Sequence, residues 1–147
     1  MIAFRQDDGG SDMARGVWAY AGAKGGNKPK PDEKREIISA CDKLLADVLV
    51  PRYLPTIKPT EFNYPIALLG KWLGNKYRFI THYRSGFPEN LGEEFDVPFT
   101  RLEFVKSGHF DLSYYRHTGE WYRLLTHLSL EEALKTIAEG GHFAPPI

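Results

Sequence analysis

Histidine, arginine and carboxylate side chains crowd one stretch of this chain, from His82 to His117. His82 and Arg84 stand two apart in HYR, Arg116 and His117 are adjacent, and Glu93, Glu94 and Asp96 lie between the two pairs. Two chemistries suit such a set. His82, Arg84, Arg101, Arg116 and His117 could together take an anionic ligand such as a phosphate, because a guanidinium offers a planar fork of donors. Alternatively, Glu93, Glu94 and Asp96, with Lys106 and a nearby histidine, could hold a divalent ion for metal-assisted hydrolysis. A plainer arrangement competes with both, in which Arg84 and Arg116 bridge the carboxylates of the acidic stretch.

Other motifs narrow the field. His82, His109, His117, His127 and His142 include no i, i+4 pair and no HExxH, so no metal centre is read from spacing. A site assembled from His82, Asp96 and His117 is something only the fold could make. Cys41 lies on an apolar helical stripe, which predicts a buried, inert thiol. As the single cysteine it rules out an intrachain disulfide framework and a multi-cysteine zinc site. Gly-x-Ser-x-Gly is absent, and GAKGG at 22–26 has neither a preceding strand nor the GK[ST] ending of a phosphate-binding loop. No cofactor is called for.

Lys plus Arg and Asp plus Glu number 19 each, so any nucleic-acid contact must come from local patches rather than from net charge. One such patch is Met13 to Arg35, with Arg15, Lys24, Lys28, Lys30, Lys34 and Arg35 against Asp32 and Glu33. It can be read as a solvated linker or as an arm for phosphates. No apolar run approaches the roughly 18 residues of a membrane helix. MIAFRQDD also lacks the basic and apolar regions of a secretion signal. The expectation is a cytoplasmic protein with no membrane partner.

The elements that must position these residues follow from periodicity. Residues 1–31 read as a flexible, basic, Gly-rich tail and 32–147 as one α+β domain. Asp32 is a candidate N-cap. Ile37, Cys41, Leu44, Leu45 and Val48 recur at helical spacing, and Pro51 is expected to end that helix. IALLGKWLGNKYRFITHYRSG predicts a hairpin with Gly74-Asn75 at its tip. Its second arm sets Tyr77, Phe79, Thr81 and Tyr83 on one face and Arg78, Ile80, His82 and Arg84 on the other. Ser85 to Pro98 reads as an acidic loop. Strands follow at Phe99–Val105, His109–Arg116 and Trp121–Leu125. A last helix opens with a Ser129-to-Glu132 capping box and stops at Gly140-Gly141. Two helices would cover one face of an antiparallel sheet of about five strands. The other face would stay partly open, carrying Arg78, His82, Arg84 and Arg101. Trp72, Trp121, Tyr114, Tyr115 and Tyr122 are expected mainly in the core or in cross-strand pairs, with a base-stacking platform as the alternative.

The helix ending VLVPRYLP, the arm closing in HYRSGFPE, EEFDVPFTRLEFV, FDLSYYRHTGEWYRL and LEEALKTIAEGGHF follow one another in an order that resembles a family of small uncharacterised bacterial proteins, a domain of unknown function. The resemblance covers about residues 32–145. It implies bacterial origin and a compact α+β unit, and it supplies no activity, substrate or catalytic residue. The residues favour a non-enzymatic binding module, with nucleic acid as the most physical partner. A metal-assisted hydrolase and a protein-binding or self-associating subunit are the alternatives.

Overall fold

The computed structural model describes residues 27–147, so the basic arm up to residue 26, and most of the expected tail, lie outside the described residues. Helix α1 (Pro31–Leu44) starts with Pro at its first turn and continues through a wider π-helical segment, Leu45–Leu49, into α2 (Val50–Tyr53). The cap is Lys30, with no side-chain hydrogen bond, and not Asp32. Asp32 sits inside the first turn, where its charge suits the helix dipole, and pairs with Arg35. Nor does Pro51 end the helix. The π-turn shifts the ladder, with Val50 N–H reaching Leu45 O. Pro51 then falls in the first turn of α2, where a missing N–H costs little. The helical run ends at Leu54 (φ −141°), just before Pro55.

Five strands form one antiparallel meander in chain order: β1 (Asn63–Leu73), β2 (Lys76–Ser85), β3 (Glu94–Lys106), β4 (His109–Tyr115) and β5 (Trp121–Leu128). Gly74 takes φ +67° at the β1–β2 tip, as the tight turn requires. The expected 85–98 loop is shorter, because Glu94 and Asp96 already belong to β3, opposite Arg84 and His82. Pro98 is tolerated within this strand because pairing with β4 begins only at Thr100, so β3 is an edge on that side at Pro98. A bulge at Phe79/Ile80 takes up the irregularity on the β2 side. Strand β5 runs three residues beyond Leu125. Helix α3 (Leu130–Glu139) carries the capping box, Ser129 with Glu132, and Gly140 follows it at φ +92°.

The helices bury one face of the sheet. Ile37, Cys41, Leu44, Leu45 and Leu49, with Ala133 and Ile137 of α3, pack on Leu68, Tyr77, Phe79, Leu102, Phe104, Phe110 and Leu112. Each fully buried Leu, Ile or Phe among them contributes roughly 2 kcal/mol. Cys41 is fully buried, and burial pushes its thiol pKa far up. Tyr77 is wedged across Gly70 and donates its hydroxyl to Asp42 of α1. A Cβ at Gly70 would overlap the Tyr77 ring and hydroxyl, and Tyr77 is 1% exposed, so it has little room to retreat. Gly70→Ala should therefore lower stability by about 1–3 kcal/mol in urea denaturation, and an unchanged midpoint would contradict this packing.

Candidate functional site

Strand alternation, reset within β3 by the extra residue Phe99, puts Lys71, Arg78, His82, Arg84, Glu94, Asp96, Arg101, Glu103, Asp111, Ser113, Tyr115, Trp121 and Arg123 on the other sheet face, and two distinct clusters form there. The first lies at the β2–β3 ladder. Both ring nitrogens of His82 face carboxylates, Nδ1 toward Asp96 and Nε2 at 2.9 Å from Glu94. Arg84 donates from Nε at 3.1 Å and Nη2 at 2.9 Å to the other Glu94 oxygen. Lys71 reaches Asp96 at 3.3 Å. The carboxylates proposed for metal chemistry are thus turned onto cations. Among the described residues no group of three or more His, Cys, Asp or Glu has the geometry to hold a metal ion. Lys106, the expected partner of that chemistry, is at the far end of β3 from Glu94, roughly 40 Å along an extended strand.

The second cluster is a row that crosses the whole sheet. Lys71 faces Arg78, Arg78 faces Arg101, Arg101 faces Ser113, and Ser113 faces Arg123. With strands about 4.8 Å apart, the row is roughly 19 Å long. Its ends are compensated: Lys71 by Asp96, and Arg123 by Glu103 at 3.4 Å and Asp111 at 3.6 Å. At the centre two guanidiniums stand directly opposite each other, an unfavourable like-charge pair. Trp121 lies under both, 4.6 Å from the Arg101 guanidinium carbon and 6.0 Å from that of Arg78. Tyr115 meets the indole edge-on at 5.1 Å. Among the described residues no carboxylate pairs with Arg78, and its Nε has no hydrogen-bond partner. Burial lowers the Arg78 pKa, opposed by Tyr115.

The sequence model of DUF3024, a domain of unknown function, matches residues 29–145. The chain belongs to the DUF3024 family. No curated protein and no solved structure matches it, so the geometry of this DUF3024 unit carries the functional reading. Of the expected site residues, the fold joins His82, Arg84, Glu94 and Asp96. It places Arg101 in the separate cationic row. Arg116 lies over the Tyr122 ring at 5.6 Å. Among the described residues it makes no ion pair with Glu93, Glu94 or Asp96. His117 is exposed in the β4–β5 turn and Glu93 in the loop before β3. His142, expected in a tail, stacks on Tyr114 at 4.7 Å. Lys71, Ser113 and Arg123 escaped the sequence reading. The two-residue hairpin turn does carry the signal for Lys71, because it sets Lys71 opposite Arg78.

The His82 cluster is a pH-dependent clasp between β2 and β3. Hydrogen bonds to Asp96 first, then Glu94, raise the His82 pKa above its ordinary 6.5. The bond from His82 is also the main cause holding Glu94 below 4.5 and Asp96 below 3.8. A raised histidine contributes stability that is complete below pH 6.5 and is lost as pH rises through its folded pKa. Depressed carboxylates contribute above 4.5 and 3.8, and that part is lost as pH falls through their folded values. The melting-temperature difference between the native chain and His82→Gln should therefore be largest between pH 4.5 and pH 6.5 and shrink as pH rises above that range. A difference that stays flat across this range would reject the clasp.

Proposed function

We propose that this chain is a non-enzymatic binding module that takes single-stranded nucleic acid on its open sheet face. The observation that carries this reading is the row of Lys71, Arg78, Arg101 and Arg123, aligned by register across all five strands. Such a row offers cations to successive phosphates, and releasing the counterions of those phosphates drives association. Tyr115 and Trp121 stand beside the row, where an aromatic surface suits unpaired bases, which stack with little regard to sequence. An open sheet face carrying aromatics fits a splayed single strand better than a duplex, whose bases are already stacked on each other. Lys28 and Lys30 are exposed ahead of α1 and extend the supply of cations toward the basic arm.

Fluorescence anisotropy with a labelled single-stranded oligonucleotide and its duplex, across a salt series, tests the reading. The full chain should prefer the single strand, and its affinity should fall as salt rises. The double variant Arg78→Ala/Arg101→Ala should bind at least about tenfold more weakly, with a log–log salt slope flatter by about 1.4, or about 0.7 per lost phosphate contact. Absence of binding at tens of micromolar, or equal binding by the double variant, would overturn the proposal.

A further inference from the structure

Strand β5 is an edge of the sheet, and a bulge bends it near its end. Leu125 pairs with Leu112 and Leu128 with Phe110, so Thr126 and His127 together oppose the single residue Asp111. His127 takes φ +59° there and is the one non-glycine residue at positive φ among the described residues. Glycine adopts that conformation at no steric cost, whereas a residue with a Cβ does not. Backbone strain of this kind is kept where it serves a site. Asp111 holds the bend in place by accepting the His127 N–H at 3.2 Å. The bulge re-aims the His127 side chain, whose ring meets His109 of β4 with centroids 6.2 Å apart and planes at 83°. His109 has a gap of its own, since its Nδ1 is buried and has no hydrogen-bond partner among the described residues. Native folds leave few buried polar atoms in that state. His127 is exposed, so the pair opens to solvent.

We propose that His109 and His127 form a two-imidazole site for a borderline transition-metal ion of the Zn²⁺, Ni²⁺ or Cu²⁺ class, which clips edge strand β5 to β4. A metal bonded at about 2.1 Å to one nitrogen of each ring stands roughly 3.2 Å from each ring centre. Two such reaches span up to ~6.4 Å, and the observed 6.2 Å falls inside that limit. A tetrahedral angle at the metal draws the centres in to about 5.2 Å, a movement open to the exposed His127 side chain. Nδ1 of His109 then gains the partner it lacks, by donating its lone pair. Asp111 does not join the ion: Oδ1 takes the His127 N–H, and Oδ2 faces Arg123 at 3.6 Å. Its role is to position His127. The chain thus supplies two nitrogens rather than three ligands, and water fills the remaining positions. Lys106, opposite His109, is exposed and can swing aside. Imidazole suits these ions, whereas Mg²⁺ and Ca²⁺ prefer oxygen. The site stands apart from the nucleic-acid reading, and neither depends on the other.

The test uses the full-length chain without an affinity tag, zinc chloride as probe, and the imidazole carbon–proton NMR signals of its five histidines. His82, His117 and His142 serve as internal controls. Zn²⁺ should shift His109 and His127 saturably and together, and Mg²⁺ should shift neither. His109→Ala and His127→Ala should each weaken Zn²⁺ binding more than about tenfold, since losing a group that merely supports a ligand already costs that much. His127→Gly removes a ligand and relieves the positive φ, so in the absence of metal it should melt no lower than the native chain. Saturating Zn²⁺ should raise the melting temperature of the native chain and leave that of His127→Gly unchanged. If Zn²⁺ shifts neither His109 nor His127, or if either alanine variant binds it as tightly as the native chain, the site is overturned. An equal thermal response of the native chain and the folded His127→Gly variant would overturn it as well.

Discussion

Everything on the open face depends on the burial of the opposite one. The apolar stripes of α1 and α3 need a partner surface, and the meander supplies it with Tyr77, Phe79, Leu102, Phe104, Phe110 and Leu112. A one-residue slip in any strand would turn those rings to water, so register is held by the hydrophobic term. Side chains alternate along a strand, and fixing one face therefore fixes the other without any further interaction. Arg78 and Arg101 face each other because Tyr77 and Leu102, their neighbours in the chain, are paired in the core. The core thus holds a like-charge contact that electrostatics alone would not choose.

The distribution of carboxylates then divides the face into two regions of different character. Around His82 every charge has an opposite, and the cluster ties β1, β2 and β3 together through five interacting groups: Lys71, His82, Arg84, Glu94 and Asp96. These are partly exposed pairs, worth little individually, and their collective effect is on pH dependence. At the other end Arg123 is held between Glu103 and Asp111. Between the two lies the stretch from Arg78 to Ser113, where positive charge and aromatic surface meet a hydroxyl that has no hydrogen-bond partner among the described residues. A surface compensated everywhere would have little left to offer an anion, and one compensated nowhere would strain the sheet.

Much of this architecture is legible in the chain. The stripe from Ile37 to Val48, the Gly74-Asn75 turn, the alternation through KYRFITHYRS and the Ser129–Glu132 box each encode a local preference that the fold keeps. The misreadings share a cause. Asp32 as a cap and Pro51 as a helix end follow from what each residue does in isolation, and each is overridden by its surroundings. Pro31 took the helix start, a π-turn absorbed Pro51, and a one-sided edge accommodated Pro98. The acidic stretch read as a loop because clustered carboxylates disfavour strands. The penalty is offset here by facing cations, a cross-strand effect that no window of sequence contains.

By itself, then, the sequence determined the elements, their order and which residues of β2 share a face, because helical and strand periodicities are local properties of the backbone. It named Arg78, His82, Arg84 and Arg101 as surface cations on the same grounds. Only the tertiary structure decided which of them meet. Bulges at Phe79/Ile80 and Phe104/Lys106 shift the pairing of β3 with each neighbour. The first sets Arg101 level with Arg78 and the second sets Ser113 level with Arg101, whereas Arg123 comes level with Ser113 through the regular pairing that runs in from the β4–β5 turn. A bulge is set by how two strands and the helices above them pack together, so the row it aligns exists only once the chain has folded.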